Sequence, residues 1–238
     1  MCGRFTLKTD PKTLTETFSG FTMPDELTPR YNIAPSQEVA VLANNGENTV
    51  ESFRWGLIPS WAKDPKIGNR IINARAETLA ERPSFRTPYR RRRCLVLADG
   101  FYEWYQEPES QSKTPMYIRL KSNQPFAFAG LWDAWCSSDD EQPLLSCTII
   151  TTTPNSMIEK IHRRMPVILA PEVYDLWLDP EEQPTDQLNE FLQPYPAEEM
   201  EAYPVSRFVN SPKNDSPDCI LPASEDRSRG AQGGRCVG

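Results

Sequence analysis

A cysteine stands second in the chain, after the initiator methionine and ahead of Gly3 and Arg4. Removal of Met1 is favoured when the next residue is small, and it would give Cys2 a free α-amine beside its thiol. Such an aminothiol can capture an aldehyde, because the amine forms an imine and the neighbouring thiolate then closes a five-membered thiazolidine. An accidental cysteine at a frayed terminus is the simpler alternative, and these residues alone favour it.

The α-amine suits this reaction better than a lysine side chain does. Its ordinary pKa is about 7.7–8.0, against about 10.4 for lysine. Near neutral pH the unprotonated fraction of the amine is therefore larger by roughly two orders of magnitude. Position two is the only place after Met1 where a cysteine could gain both groups.

Three further polar residues stand where a hydrophobic core would not select them. Asn73 lies in IINARAET, Glu103 lies between two aromatic residues in LADGFYEW, and His162, the only histidine, lies in KIHRRMPVIL. A carboxylic acid and an imidazole can move protons, and an amide can orient a substrate without adding charge. Taken singly, a turn, a surface ion pair and a hydrogen-bonded histidine explain them more simply. Their spacing does not show that they meet.

Composition and cysteine spacing limit the other classes of function. The chain has 238 residues, of which 38% are hydrophobic, and contains no apolar run of the roughly 18 residues that a membrane span needs. Its first twenty residues lack the apolar segment of a signal peptide, so we expect a cytoplasmic protein. The six cysteines form no C-x-x-C pair, so we expect free thiols and neither a metal site nor a cofactor.

Charge is distributed unevenly along the chain. The net charge is −7, yet the range 70–93 holds eight arginines and two glutamates, whereas 171–238 holds fourteen acidic and five basic residues. This pattern favours a protein that holds an anion in one groove. The run YRRRRC could equally be a solvated strand edge with alternating side chains.

Hydrophobic periodicity predicts many strands and few helices. VAVLAN and TVESFRWGLI form a strand pair that turns at Asn45 and Gly46. NARAETLAER has helical character and is stopped by Pro83. The remaining segments divide into strands and helices as follows: strands in RCLVLADGFYEWYQ, TPMYIRLK, PFAFAGLWDAW, SCTIITTT and the end of KIHRRMPVILA, and helices at Thr13–Phe18, PEVYDLWLD and TDQLNEFLQ. We expect an α+β fold whose antiparallel sheet curls into a barrel.

Six segments, taken in order, resemble one known family. They are MCGRF, RYNIAPSQ, RWGLIPSWAKD, INARAET, RRCLVLADGFYEW and IHRRMPVIL, and the resemblance extends to about Asp179, with a further C-terminal element at Ser206–Asn210. Together they resemble the SOS-response-associated peptidase (SRAP) family, which includes proteins that crosslink to abasic sites in single-stranded DNA. The resemblance implies a bifurcated antiparallel sheet rolled into a pseudo-barrel with short peripheral helices. No linker long enough to divide the chain is evident, so we expect one domain over 1–222 that resembles this family, and the polar, Gly-rich composition of 223–238 predicts a disordered tail.

The resemblance also assigns roles to residues of this chain. Cys2 becomes the nucleophile that forms a thiazolidine with the lesion, Glu103 the acid and base, and His162 the group that assists opening of the sugar ring, with Asn73 beside the cysteine. The implied DNA-binding residues are Arg4, Pro35, Trp61, Arg75, Thr151 and Arg164. Relatives can carry two adjacent tryptophans where this chain has Trp61 and Ala62, so the stacking surface is smaller here. We expect a monomer whose partner is single-stranded DNA with abasic sites, and which associates with the nucleoid when bound.

Two other classes of function stay open. An N-terminal-nucleophile cysteine peptidase would use the same Cys2, with its α-amine as the base. That activity could be limited to autoproteolytic removal of the residue ahead of Cys2. A non-catalytic reader of damaged or modified DNA would use the arginines but leaves the second-position cysteine unexplained.

Overall fold

The computed structural model describes residues 2–107, 112–137 and 142–223. Strands dominate this part of the chain, and the helices are short and lie at its periphery. The strands are β1 (Phe5–Leu7), β2 (Arg30–Ile33), β3 (Glu38–Ala43), β4 (Val50–Trp55), β5 (Asn73–Arg75), β6 (Arg93–Ala98), β7 (Gly100–Gln106), β8 (Lys113–Leu120), β9 (Phe126–Trp135), β10 (Leu144–Thr152), β11 (Met165–Pro166), β12 (Ile168–Leu169) and β13 (Met200–Pro204). The α-helices are α1 (Pro11–Thr17), α2 (Arg86–Arg91), α3 (Tyr174–Leu178) and α4 (Thr185–Glu190).

Five strands close into a barrel. β3 and β4 form the predicted hairpin, β6 pairs with β3, β9 pairs with β6, and β10 pairs with β9. The ring closes where β10 runs parallel to β4, with Cys147 opposite Trp55. Aromatic side chains fill the space between this barrel and β1: the Phe5 ring meets Trp55 and Phe128 edge-on at 5.1 and 5.7 Å. The α+β class with a rolled, largely antiparallel sheet is confirmed.

The barrel splits along β10. Beyond Cys147, β4 leaves and β5 takes its place, with Asn73 opposite Ile149 and Arg75 opposite Thr151. Gly56 makes the departure possible: its φ is +131°, and a Cβ there would lie 2.6 Å from the carbonyl oxygen of Gly68. The split places Asn73 beside β10, within hydrogen-bond distance of the segment that leads into the second sheet.

The second sheet is fully antiparallel and has the order β13, β8, β7, β1, β2. The first strand of the chain therefore lies inside it, between β7 and β2. The buried carboxylate of Asp99 fixes that strand: it accepts hydrogen bonds from Thr6 Oγ1 at 2.5 Å and from the backbone N of Lys8 at 2.6 Å. The start of the chain is thus held in place rather than frayed.

Two sequence-based interpretations are wrong in detail. Asn73–Arg75 is a strand rather than the start of a helix, because β10 offers it a pairing edge, and only a short 3-10 turn, Ala76–Thr78, follows. The YRRRRC run is not a solvated strand edge: its first part ends α2, and Arg93 begins β6 fully buried, where it donates to the carbonyl oxygens of Trp177 and Asp179.

No helix within the described ranges is long and apolar enough to cross a membrane. Of the expected tail at 223–238, every residue after the first lies outside the described part of the chain. The assignment of 1–222 to one domain stays a prediction.

Candidate active site between the two sheets

Cys2 lies immediately before β1 and is fully buried. Asn73, at the start of β5, donates from Nδ2 to the Cys2 carbonyl oxygen at 2.7 Å and so joins the two sheets. Burial raises the pKa of the Cys2 thiol, and the negative charge of nearby Glu103 raises it further. The thiol is therefore neutral near pH 7 and close enough to Glu103 to sense its charge.

Glu103 projects from β7 into the same buried region, with only 3% of the residue exposed. Burial raises the pKa of its carboxyl group to about 7. Its Oε1 lies 3.9 Å from Nδ1 of His162. Glu103 can therefore give up or accept a proton near neutral pH.

His162 lies in the loop before β11 and is partly buried, which lowers the pKa of its imidazole. The backbone N of Arg164 donates to His162 Nδ1 at 3.1 Å, which fixes the ring. The neutral imidazole is thus the dominant form near pH 7. Cys2, Asn73, Glu103 and His162, here called the inter-sheet site, come from four separate segments.

Arg164 and Thr151 support this site from the barrel side. The Arg164 guanidinium contacts both carboxylate oxygens of Glu77, at 2.5 and 3.0 Å, and the Thr151 carbonyl oxygen at 2.5 Å. Thr151 is buried, and its hydroxyl donates to the Ala74 carbonyl oxygen at 3.3 Å. These contacts tie the His162 loop to β5 and β10, and a role of either residue in binding DNA stays a prediction.

Arg4 is held on the other side of Cys2. Its Nη1 donates to Asn32 Oδ1 at 2.7 Å and to the Val209 carbonyl oxygen at 2.9 Å, and its guanidinium carbon lies 5.8 Å from the centre of the Trp104 ring. Asn32 in turn is fully buried and donates to the Val209 carbonyl oxygen at 3.1 Å. The C-terminal Arg207–Asn210 turn therefore packs onto the N-terminal segment.

The remaining candidate residues lie on exposed turns and edges. Pro35 stands half-buried in the turn between β2 and β3, and Arg75 is exposed at the end of β5. Trp61 is 59% exposed on the loop after β4. That loop is held by β9, since Asp133 Oδ2 accepts from the Ser60 backbone N at 2.9 Å and Trp135 Nε1 donates to the Ala62 carbonyl oxygen at 2.7 Å.

Sequence reasoning missed the residues that hold these elements in place, namely Asp99, Asn32 and Asp133. Asp99 lies in the segment LADGFYEW and Asn32 in the segment RYNIAPSQ. The sequence therefore marked both segments as important, but it did not reveal that these two side chains hold neighbouring elements in place. In the described ranges, no three His, Cys, Asp or Glu side chains are grouped so that they could hold a metal ion.

The inter-sheet site brings together groups that can exchange protons near neutral pH. It combines a neutral thiol, a carboxyl group that titrates near pH 7 and a fixed imidazole. Among the described residues, Asn73 Oδ1 is buried and accepts no hydrogen bond, so it is available to a donor that enters the site.

Comparison with known proteins gives a consistent result. The model of the SOS response associated peptidase (SRAP) family matches residues 1–212. The abasic site processing protein YoqW of Bacillus subtilis is 52% identical over 223 residues, which cover 92% of this chain and 99% of that protein. The abasic site processing protein HMCES of Gallus gallus is 35% identical, over 82% of this chain and 66% of its own length.

A solved structure shares this fold. A crystal structure of a protein from Bacteroides thetaiotaomicron superimposes with a TM-score of 0.84 at 29% identity, and the match covers 94% of this chain and all of that one. Because the family model matches residues 1–212, which is most of the chain, the chain belongs to the SOS response associated peptidase family.

Proposed function

We propose that this protein processes abasic sites in DNA by capturing their ring-opened aldehyde in a single strand. The names of its relatives point to the lesion, and the inter-sheet site supplies the chemistry. The observation that carries the proposal is the buried Cys2, fixed through its carbonyl by Asn73 and lying within reach of the charge of Glu103. A frayed terminus would place none of these groups together.

The reaction needs Cys2 as the first residue. Once Met1 is removed, the α-amine adds to the C1′ aldehyde carbon, and loss of one water gives an imine. The sulfur then adds to the imine carbon, and the thiol proton ends on the nitrogen. The sum is aldehyde plus aminothiol to thiazolidine plus water, with no oxidant or cofactor.

Glu103 suits the proton transfers of both steps. A carboxyl group with a pKa of about 7 is present in both protonation states at neutral pH. As an acid it protonates the departing hydroxyl group, and as a base it accepts the proton of the thiol. Because the thiol itself is buried and neutral, it depends on such a base.

His162 assists as a neutral ring. Its lowered pKa makes an imidazolium scarce near pH 7, so the ring opens the sugar by donating a hydrogen bond to the ring oxygen. Asn73 Oδ1 accepts a hydrogen bond from the amine and orients it without adding charge.

The DNA strand is held outside the site by exposed groups. Arg75 binds phosphate, Trp61 stacks on a base, and Pro35 wedges beside the lesion. Arg4, Thr151 and Arg164 line the inner edge of the strand path. Base identity is not read, since the target lacks a base.

The test incubates the protein with a single-stranded oligonucleotide that contains one abasic site and analyses the products on a denaturing gel. Mass spectrometry of the intact protein shows in parallel whether Met1 has been removed. We expect a heat-stable shifted band with the wild-type protein, a mass that lacks the methionine, and no heat-stable band with Cys2→Ala. Cys2→Ser likewise keeps the amine and lacks sulfur, so both variants should give at most a heat-labile imine. Cys136→Ala, which removes an exposed thiol elsewhere, should crosslink normally.

Other outcomes would contradict the proposal in distinct ways. A stable band with Cys2→Ala, or an active preparation that retains Met1, would exclude the thiazolidine. Cys2-dependent cleavage of a casein-like protein would indicate the peptidase, which the buried thiol with its raised pKa does not favour. Binding that is lost entirely on denaturation would indicate a non-catalytic reader.

A further inference from the structure

A cleft of about 430 Å³ lies along α2, away from the inter-sheet site. It is lined by Ala80, Arg86, Thr87, Arg90, Arg91 and Glu182, and is called here the α2 cleft. Three guanidinium groups face one carboxylate, so the cleft keeps a net positive charge in a protein whose net charge is −7. Such a local excess attracts anions.

The arginines of the cleft differ from the two that follow them. Arg92 pairs with Asp133, and Arg93 is fully buried against backbone carbonyl oxygens, so both hold the fold together. By contrast, the side chains of Arg90 and Arg91 are 52% and 62% exposed. Arg86 is exposed as well, and its side chain makes no hydrogen bond or ion pair within the described ranges.

Glu182 contacts two arginines of the cleft. Its carboxylate forms an ion pair with Arg91 through Oε2, and its Oε1 lies 3.9 Å from Nη1 of Arg90. One carboxylate bridging two guanidinium groups is the geometry in which arginines also bind phosphate. Since the pairs are exposed, they are weak and a phosphate can displace them.

The segment that carries Glu182 is fixed rather than free. Arg93 Nη2 donates to the carbonyl oxygens of Asp179 and Glu181 at 2.5 and 3.3 Å. The backbone N of Gln183 donates to the Arg90 carbonyl oxygen at 3.3 Å. Glu182 is therefore presented to the arginines by the fold itself, as an internal competitor.

The residue after α2 is linked to the loop that carries Trp61. Asp133 accepts both from Arg92, the residue after α2, and from the backbone N of Ser60 in that loop. One buried carboxylate thus joins the segment after α2 to the loop of Trp61. This link is the basis for extending the path of the strand from Trp61 to the arginines.

We propose that the α2 cleft binds the phosphodiester backbone of the DNA strand beyond the lesion, and that Glu182 limits this binding by competing for Arg90 and Arg91. The proposal rests on the proposed function, since it extends the path of the same strand. Glu182 keeps the protein from being retained on undamaged strands, where no covalent capture follows.

The test measures binding of an undamaged twenty-nucleotide oligo(dT) by fluorescence anisotropy over a series of salt concentrations. Arg86→Gln with Arg90→Gln should weaken binding by about fivefold or more and reduce the salt slope by about 1.4, the share of two phosphates on a single strand. Glu182→Gln should tighten binding by about two- to fivefold at low salt. That gain cannot result from misfolding.

The partly exposed pair of Arg119 and Glu201 on β8 and β13 provides controls. Glu201→Gln changes the net charge as Glu182→Gln does, and should leave affinity nearly unchanged. Equal gains from both variants would overturn the proposal, because the effect would then be one of net charge. An unchanged salt slope in the double arginine variant would overturn it as well.

Crosslinking to a four-nucleotide strand with a central abasic site separates this proposal from the function it rests on. Such a strand offers at most two nucleotides beyond the lesion. If the wild-type protein crosslinks it and the arginine variants behave like wild type on oligo(dT), only the cleft proposal fails. If the wild-type protein crosslinks neither this strand nor the longer oligonucleotide with one abasic site, the proposed function fails.

Discussion

Glu103 and Glu182 place the same carboxyl group in two opposite environments. Glu103 is 3% exposed, and burial raises its pKa to about 7. The side chain of Glu182 is 42% exposed and meets two guanidinium groups at the surface. In the inter-sheet site, exclusion of water raises the pKa of the carboxyl group, so that it can exchange a proton near neutral pH. In the α2 cleft, the carboxylate is exposed to water and pairs with guanidinium groups, so its ion pairs can be exchanged for others.

This difference shows what each region can do. The inter-sheet site is built from segments distant in sequence and depends on the whole fold for its geometry. The α2 cleft is built mostly from one short helix and depends on charge. Damage to the fold should therefore abolish chemistry before it abolishes binding, and salt should weaken binding before it affects chemistry.

The largest expected effect comes from Gly56→Ala, at the split in the barrel. The positive φ and the nearby Gly68 carbonyl oxygen should cost about 3 kcal/mol or more of the free energy of unfolding, and should shift β5 with Asn73. Urea denaturation and the crosslinking rate measure both. Gly46→Ala is the control: its φ is +89° but nothing lies within 4 Å, so about 1 kcal/mol is expected. Equal losses would mean that the close contact at Gly56 is unimportant.

Glu103→Gln should reveal the buried carboxyl group through pH. The folded pKa of about 7 lies above the ordinary value of 4.5, so the folded state binds more protons in this range and wild-type stability falls as pH rises from about 5 to 8. Glutamine cannot ionise, so the variant should gain about 2–3 kcal/mol relative to wild type at pH 8. Crosslink formation should also slow.

Urea denaturation at pH 5 and pH 8 measures the change in stability. Glu182→Gln, at an exposed site, is the matched variant and should show no such gain. If the stability of Glu103→Gln depended on pH in the same way as that of the wild-type protein, Glu103 would not be the buried group that titrates near pH 7.

Trp61→Ala should weaken binding of single-stranded DNA by about 1–3 kcal/mol, the value of one stacked base. The change should appear in affinity and leave the pH dependence of crosslinking unaltered, because Trp61 lies outside the inter-sheet site. Leu176→Ala removes another exposed apolar side chain, 57% exposed on α3, and should have no effect. Anisotropy titration decides, and equal affinities of the two variants would exclude stacking on Trp61.

The smallest effect is expected for Arg75→Gln. One lost phosphate contact should reduce the salt slope of binding by about 0.7 for a single strand. Arg119→Gln serves as the control on a distant strand. If both variants gave the wild-type slope, Arg75 would touch no phosphate.

The sequence predicted the fold class because local signals agree with it. The hairpin of β3 and β4 follows from alternating residues around Asn45 and Gly46, whose φ is +89°. The strand at Asn73 was missed, because its pairing partner in β10 lies more than seventy residues further along the chain. Local helical preference could not reveal that edge.

The sequence indicated which residues could form the candidate site, but not how they are arranged in space. Cys2 stood out because it is the second residue, and Asn73 and Glu103 stood out because they are isolated polar residues. The run of arginines did not reveal which would be buried: Arg93 is enclosed, whereas Arg91 is exposed two residues earlier. Arg93 is distinguished by its hydrogen bonds to the carbonyl oxygens of Trp177, Asp179 and Glu181, which come from a distant segment.

The position of β1 between β7 and β2 has a consequence for biosynthesis. The first strand leaves the ribosome early, but its partner in β7 follows only after about 100 residues, roughly 5–20 s later at ordinary rates of translation. During that interval an aminopeptidase can reach the nascent terminus. Once the strand has docked, Cys2 is enclosed, so we expect trimming of the start methionine to be a cotranslational event that the finished protein can no longer undergo.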